Sequence, residues 1–375
     1  MSLTYHFVSH THWDREWYKT FETFRLDLVD LIEALLNLMR SNPRYKYFTL
    51  DGQTIILEDY LEIMPGRTQD LRHFIEKGSI FIGPWYVLPD EFLVSAESTV
   101  RNLLMGQRVA SRFGAAMSVG YLPDSFGHIA MMPAILRGFE MDAAIVYRGF
   151  GGEPGQEKSE YRWRSPDGSE VLMIHLPPNG YGDAYLGKND PQVFREKCRS
   201  LKAILDTRAT TPHRLCMNGG DHHFPEPYLP EALRVMNDAC AGQFIHSNLL
   251  NYIENVKTFL QERDIRLQTV EGELRQGYRY AFVVQSGVYS SRMYLKQANH
   301  TCEKWLVRYA EPLAIWASLA GRANLFAMLQ QGWKWLLQNH PHDSICGCSI
   351  DAVHREMMTR FEKCRQIARG VVDKA

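Results

Sequence analysis

Short apolar runs alternate with amphipathic stretches over the first two thirds of the chain. Eight runs have the length and residue types of β-strands: residues 5–9, 47–50, 79–84, 118–122, 143–147, 171–176, 215–217 and 243–246. Between them, apolar residues recur at helical spacing in 26–39, 53–63, 99–113 and 133–138. This alternation of strand and helix predicts an α/β fold, in which helices cover a mostly parallel sheet.

The pattern changes after about residue 260. Residues 294–319, 322–338 and 350–372 are long, rich in helix-forming residues and poor in Gly and Pro. Within the first of them, Trp305, Tyr309 and Trp316 recur at the spacing of one helix face. We therefore predict a bundle of about three helices, and we divide the chain into an α/β domain (1–260) and a helical domain (261–375).

Composition and charge narrow the range of partners. Of the 375 residues, 45% are hydrophobic and 23% are charged, and the formal net charge is -1. A nucleic-acid partner is not expected, because binding to phosphate backbones requires a strongly basic face. A membrane partner is not expected either, because no apolar run approaches the roughly 18–20 residues that cross a bilayer. The first residues resemble a strand and not a signal peptide.

The cysteines suggest a compartment. They are seven in number, which is odd, and they are scattered along the chain. Reduced thiols in a cytoplasmic protein are the simplest explanation of such a set. Cys346 and Cys348 form a C-x-C pair, which is not the usual spacing of zinc ligands, so we do not interpret them as metal ligands. The sequence leaves the number of subunits open, including a homo-oligomer.

Polar clusters follow the predicted strands. They occupy residues 10–14, 89–91, 123–128, 148–149 and 218–223, each shortly after a strand-like run. Ligands bind at the carboxyl ends of the strands in parallel α/β folds. The clusters are therefore the candidates for a common site.

The first cluster has the residue types of a metal site. Side chains alternate along an extended segment, so His10, His12 and Asp14 project from the same side. Imidazole and carboxylate groups suit zinc, whose catalytic sites use about three protein ligands and an open position. Hydrogen-bonded polar residues at a strand end would explain this cluster alone equally well.

Three further clusters are each ambiguous by themselves. Asp124 follows a strand, where a carboxylate could bind metal, act as a nucleophile or cap the next helix. His342 lies in the polar segment 339–343, which could simply be a turn between helices. Asp221 and His222 follow Gly219-Gly220, where they could donate a proton, bind metal or belong to an ordinary turn.

Taken together, the motifs resemble the α-mannosidases of glycoside hydrolase family 38. They are, in order, H-x-H-W-D-x-E-W from residue 10, G-Y-x-P-D-x-F-G-H from 120, N-G-G-D from 218 and N-x-P-H-D-S-I-C-G from 339. Residues 83–91 and 290–299 match other stretches typical of the family. The resemblance extends over essentially the whole chain and is closer to the bacterial branch than to the lysosomal and Golgi enzymes.

The resemblance implies a particular set of site residues. One zinc ion per chain would be bound by His12, Asp14, Asp124 and His342, with Asp124 also acting as the nucleophile. The general acid/base of the family lies in a G-D-D segment, which here reads Gly220-Asp221-His222. A histidine replaces the second acidic residue, so we favour Asp221 as the acid/base and keep His222 as the alternative.

The resemblance also implies a fold. The family has a seven-stranded, parallel (β/α) barrel-like domain, then a helical bundle and then large β domains. The chain ends where the bundle should end, and we therefore expect the C-terminal β domains to be absent from it. Since those domains help to shape the pocket in the family, their absence bears on whether this chain is active.

The implied function is that of a retaining exo-α-mannosidase. Its substrate would be an oligosaccharide or glycoconjugate with terminal α-linked mannose. We interpret six residues as substrate contacts, with core packing or ion pairs as the alternatives: Trp13, Trp85, Asp90, Arg148, Arg292 and Asp343. Two other functions fit the sequence, namely a zinc-dependent carbohydrate deacetylase and an inactive fragment that binds sugar or metal.

Overall fold

The computed structural model describes residues 2–151, 156–276, 284–322 and 324–375. Its strands are β1 (Thr4–Thr11), β2 (Phe48–Leu50), β3 (Ile80–Phe81), β4 (Gly120–Leu122), β5 (Ala143–Val146), β6 (Glu160–Arg164), β7 (Glu170–His175), β8 (His213–Asn218), β9 (Gln243–Ser247) and β10 (Thr269–Glu271). All eight predicted runs contain a strand. The structure adds β6 and β10, which were not predicted.

The helices lie between the strands and after them. They are α1 (Phe21–Ser41), α2 (Ile55–Ile63), α3 (Thr68–Glu76), α4 (Ala96–Ala110), α5 (Met132–Gly138), α6 (Pro191–Arg208), α7 (Leu229–Ala239), α8 (Leu249–Glu262), α9 (Met293–Trp305), α10 (Glu311–Leu319), α11 (Phe326–Leu337), α12 (His342–Cys346) and α13 (Asp351–Lys374). Short 3-10 turns occupy Pro65–Arg67, Gly180–Gly182 and Ser286–Tyr289. None of these helices is both long and apolar enough to cross a membrane.

The strands form two five-stranded sheets. In the first, the order is β3-β2-β1-β8, and β9 also pairs with β1; all of these pairs are parallel. In the second, the order is β10-β6-β7-β5-β4, and only β6 and β7 pair in the antiparallel sense. The prediction of an α/β fold with mostly parallel strands is confirmed.

The seven-stranded barrel is not confirmed. The ladders between the described strands leave two separate sheets, and an antiparallel pair interrupts the parallel order of the second sheet. The reason is local, because β6 and β7 are joined by the tight turn Ser165-Pro166-Asp167-Gly168-Ser169. A connection this short can join only antiparallel strands. β6 escaped prediction because charged residues flank its apolar ones.

The three-helix bundle is not confirmed either, because the helical region has more elements. The predicted helix 294–319 is α9 and α10 with a π-helical segment, Leu306–Ala310, between them. The short helix α12 also stands between α11 and α13. The predicted division at residue 260 stays a prediction, although β10 lies beyond it and pairs with β6.

One hydrophobic cluster connects the two regions. It contains Leu31 and Leu35 of α1, together with Leu295, Trp333 and Met357 of the helical region. Burying side chains of this size stabilises a fold by about 1.5–3 kcal/mol each. The helical region is therefore packed onto the α/β region through a shared core.

The prediction of seven reduced thiols is wrong for one pair. Cys198 of α6 and Cys240, just after α7, form a disulfide. Helices α6 and α7 pack against each other, which brings the two Cα atoms to 6.7 Å despite 42 residues of separation. That spacing lies within the range of disulfides. The other five cysteines are free thiols.

Candidate active site

Loops that follow four parallel strands meet at one edge of the fold. They carry His12 after β1, Asp124 after β4, Arg148 after β5 and Asp221 after β8. The loops after β1 and β8 are joined directly, because the backbone N–H of His12 donates to the carbonyl of Gly220 at 2.9 Å. The predicted location of the site at the carboxyl ends of the strands thus matches the geometry.

The four predicted metal ligands lie together. Nε2 of His12 is 3.1 Å from Oδ1 of Asp14 and 3.9 Å from Oδ2 of Asp124. Nε2 of His342, at the start of α12, is 3.2 Å from Oδ2 of Asp124 and 3.4 Å from Oδ1 of Asp14. Two imidazoles and two carboxylates therefore face one another, although the imidazole of His342 comes from the helical region.

These residues fit a metal ion. Both Nε2 atoms are buried and have no hydrogen-bond partner among the described residues. Buried polar atoms are normally paired, because leaving them unpaired costs about 1–3 kcal/mol each. A divalent cation between the two imidazoles and the two carboxylates would satisfy all four groups, and two nitrogen with two oxygen donors is a set that zinc accepts.

His10 does not join this group. Its Nε2 lies 2.6 Å from the backbone oxygen of Tyr181. The backbone oxygen of Tyr181 thus supplies a hydrogen-bond partner for the His10 ring. That His10 and His12 project from the same side of the strand stays a prediction.

Asp124 is held as an anion. Its Oδ1 accepts hydrogen bonds from Nε of Arg148 at 2.7 Å and from Nη2 at 2.5 Å. Burial raises the pKa of the Asp124 carboxyl, but the guanidinium of Arg148 and the imidazole of His342 outweigh burial and bring the pKa well below its usual range. An ionised carboxylate of this kind can act as a nucleophile.

The surroundings of Asp221 shift its pKa the other way. The side chain is exposed, and its Oδ1 accepts a hydrogen bond from the hydroxyl of Tyr181 at 2.9 Å. Partial desolvation by the surrounding protein and the negative charges of Asp14 and Asp124 raise the pKa of Asp221. The imidazole of His12 lowers it, but by less. A carboxylate oxygen of Asp221 also lies within 4.8 Å of potential ligand atoms of His12 and Asp14, so the three residues could share one metal ion.

His222 contacts the ligand loop, with Nε2 3.8 Å from Oδ2 of Asp14. Its backbone has a φ of 58°, and its ring stacks on Phe24 with centroids 4.2 Å apart. The ring of Trp13 meets the same ring at a right angle, with centroids 4.7 Å apart. Nε2 of His222 lies 3.2 Å from the backbone oxygen of Asp14. This histidine therefore contacts the backbone of the loop that carries Asp14.

Some of the predicted substrate contacts lie beside the proposed metal ligands and others do not. Asp343 lies beside the ligands, with Oδ2 3.6 Å from Nε2 of His342. Asp90 is fully buried, and Oδ2 of its carboxyl has no hydrogen-bond partner among the described residues. Burial raises the pKa of Asp90 to about 7. Arg292 instead bonds to the carbonyl of Gly347 and to Asp351, behind α12.

The two predicted tryptophan contacts belong to the core. Trp13 is 1% exposed and Trp85 is 0% exposed, and they lie in separate hydrophobic clusters. Rings so enclosed leave no face open to a sugar. Their predicted role stays a prediction, which their burial does not favour.

Sequence reasoning missed Asp51. This fully buried residue follows β2, and its Oδ2 lies 3.4 Å from Nδ1 of His12. The same oxygen accepts hydrogen bonds from the backbone N–H of Trp13 and from the amide of Gln53. Histidines that bind metal usually face a carboxylate through their other nitrogen. The signal was available, because Asp51 directly follows a predicted strand.

Comparison with known proteins identifies the family. Residues 2–265 match the N-terminal domain of glycosyl hydrolases family 38, and residues 284–375 match the alpha mannosidase middle domain. A structure of an alpha-mannosidase from Enterococcus faecalis V583 superposes with a TM-score of 0.91 at 36% identity, over 99% of this chain and 42% of that one.

Curated relatives also match nearly the whole of this chain over only part of their own length. A protein of Halalkalibacterium halodurans that carries the provisional name mannosylglycerate hydrolase is 39% identical over 379 residues, covering 97% of this chain and 41% of that protein. Human alpha-mannosidase 2C1 is 27% identical over 372 residues, covering 96% and 34%. The chain therefore spans well under half the length of these relatives. Because the family match covers most of its residues, the chain belongs to glycoside hydrolase family 38.

Proposed function

We propose that this chain is the catalytic part of a zinc-dependent, retaining exo-α-mannosidase. The observation that carries the proposal is the meeting of His12, Asp14, Asp124 and His342, whose facing nitrogen and oxygen atoms lie 3.1–3.9 Å apart. These four residues would hold one zinc ion. When bound, zinc supplies Lewis-acid polarisation and orientation of sugar hydroxyls.

Asp124 is the proposed nucleophile. Arg148 binds one of its oxygens and helps to keep the carboxylate ionised. In the first step a carboxylate oxygen of Asp124 forms a bond to the anomeric carbon, and the bond from that carbon to the leaving oxygen breaks. In the second step water displaces Asp124 from the same carbon. Two inversions at one centre retain its configuration.

Asp221 is the proposed acid/base. It lies at the open side of the ligand group, where its carboxyl is accessible and bound to the hydroxyl of Tyr181. It would donate a proton to the leaving oxygen in the first step and take one from water in the second. His222 is less suited to this role, because its ring packs against Phe24 and Trp13.

The proposed substrate is an oligosaccharide or glycoconjugate that ends in α-linked mannose. The names of the relatives support this choice, because they are alpha-mannosidases or refer to a mannosylglycerate. A deacetylase is less well supported, since it would need no ligand from a helical region. Here, His342 of α12 lies among the other three ligands.

The roles of Asp124 and Asp221 can be tested with aryl α-mannosides. Asp124→Asn should lose nearly all turnover with every leaving group, because no other carboxylate replaces the nucleophile. Asp221→Asn should lose turnover mainly with poor leaving groups, which need a proton most. His222→Gln is the matched control and should keep the leaving-group dependence of the wild type. Near-normal turnover in Asp124→Asn would rule out the proposed mechanism.

A further inference from the structure

We propose that a buried ion pair between Glu16 and Arg360 positions His342 against the ligands of the α/β region. The inference rests on the proposed metal site, which takes ligands from two regions of the chain. Glu16 follows Asp14 by two residues, and Arg360 lies in α13. Neither residue belongs to the ligand set or contacts the proposed nucleophile.

The pair is short and enclosed. Nη2 of Arg360 lies 2.7 Å from Oε1 and 2.5 Å from Oε2 of Glu16. The Arg360 side chain is 3% exposed and that of Glu16 is 0% exposed. Charge-assisted hydrogen bonds are shorter and stronger than neutral ones, so the two side chains hold each other closely.

Both partners reach other parts of the site. Oε1 of Glu16 also accepts a hydrogen bond from the hydroxyl of Ser344 at 2.9 Å, and Ser344 lies one residue beyond Asp343 in α12. Nη1 of Arg360 donates to the carbonyl of Gln338, just after α11, at 2.6 Å. Through these bonds, the loop that carries His12 and Asp14 is tied to both sides of His342.

Such a connection has a clear use at this site. Metal sites require their ligands to lie within about 0.5 Å of the productive geometry. The ligand segments 12–14 and 342 are more than 300 residues apart in sequence, so tertiary contacts must set their relative position. A buried ion pair often adds little net stability compared with an apolar pair of similar size. Its contribution here is therefore geometric specificity.

A second buried ion pair provides a matched control. The next residue along the loop, Arg15, binds Asp59 of α2 with Nε–Oδ2 and Nη2–Oδ1 distances of 2.7 and 3.1 Å. Both of its side chains are 6% exposed. This pair anchors the same loop, but it joins two parts of the α/β region and makes no link to α12.

The test compares metal binding by variants of the two pairs. Glu16→Gln and Arg360→Met should weaken zinc binding, measured by competition with a chelating dye, by about tenfold or more. With Co²⁺ in place of zinc, their absorption spectra should shift towards the spectrum of His342→Ala. Asp59→Asn and Arg15→Met should lower the melting temperature of the protein. They should nevertheless keep the zinc affinity and the cobalt spectrum of the wild type.

Ser344→Ala is a milder variant for the case in which the charge variants do not fold. It removes one hydroxyl and leaves the ion pair, and it should weaken zinc binding measurably. Wild-type affinity and spectrum in Ser344→Ala and in the folded charge variants would overturn the inference. Equal weakening by the Arg15–Asp59 variants would also overturn it. A wild-type chain that binds no zinc would instead contradict the proposed function.

Discussion

At the scale of single residues, the surroundings of each aspartate decide its charge. Arg148 and two histidines hold Asp124 ionised, whereas burial outweighs the nearby cations at Asp90 and Asp183 and raises the pKa of each to about 7. The residue type is the same in each case. Asp124 is thus an anion suited to attack, whereas Asp90 and Asp183 retain their protons more readily.

Asp183 allows a test of this argument by pH. Its Oδ1 accepts a hydrogen bond from the backbone N–H of Met217 at 2.9 Å, and its Oδ2 has no hydrogen-bond partner among the described residues. The native state therefore holds a proton that the unfolded state has released, at pH values between about 4 and 7. The free energy of unfolding should fall as pH rises through this window, by about 3 kcal/mol from this residue.

Asp183→Asn should remove that part of the pH dependence. Asparagine keeps an acceptor for Met217 and has no proton to release. Urea unfolding of both proteins at several pH values from 4.5 to 8, with a chelator present throughout, would measure the difference. The same decline in both proteins would contradict the assignment of the shift to Asp183.

At the scale of elements, the approach of α4 to a neighbouring segment helps to place the site. Asn102 of α4 accepts hydrogen bonds through Oδ1 from the backbone N–H groups of Tyr86 and Val87. Next along the chain, the carbonyl of Leu88 accepts a hydrogen bond from the backbone N–H of His342 at 3.0 Å. The segment held by α4 therefore supports a proposed ligand.

Gly106 allows α4 to approach the segment 84–86 closely. A Cβ atom at residue 106 would lie 2.1 Å from the carbonyl oxygen of Pro84 and 2.4 Å from the carbonyl carbon of Trp85. Gly106→Ala should thus destabilise the fold by about 1–3 kcal/mol, as overpacking does. Gly370→Ala in α13 is the control, because a Cβ there meets no atom within 4 Å. Chemical unfolding should show that Gly370→Ala is as stable as the wild type or up to about 1 kcal/mol more stable. A Gly106→Ala protein as stable as the wild type would refute the argument.

At the scale of the whole molecule, the proposed metal site joins the two regions of the chain. His12, Asp14 and Asp124 come from the α/β region, and His342 comes from the helical region. A cation bound by all four stabilises their native arrangement, since the unfolded chain does not bring them together. Metal binding and the packing of the helical region are therefore expected to be coupled.

Metal removal should reveal this coupling. Zinc at a free concentration 100 times its dissociation constant should raise the free energy of unfolding by about 2.7 kcal/mol over that of the chelated protein. His342→Ala should retain little of this increase at the same zinc concentration, because it loses the ligand from α12. Urea unfolding with zinc and with a chelator would measure both values. An undiminished zinc effect in His342→Ala would remove the helical region from the site.

Much of the secondary structure was predictable from local pattern. The strand β5 is an apolar run, and the helix α1 shows its apolar face at helical spacing. The strand β6 was missed because Arg162 and Arg164 alternate with its buried residues. The disulfide between Cys198 and Cys240 was missed because it depends on how α6 and α7 pack, which local pattern does not encode.

The sequence by itself determined which chemical groups are available and which strands they follow. It named His12, Asp14, Asp124 and His342 as candidate ligands and left Asp221 and His222 as alternatives. Only the tertiary structure decided that Asp221 opens onto the site while His222 packs on Phe24. The reason is physical: periodicity along a chain fixes the face on which a side chain lies, whereas the distance between loops depends on the packing of every element that separates them.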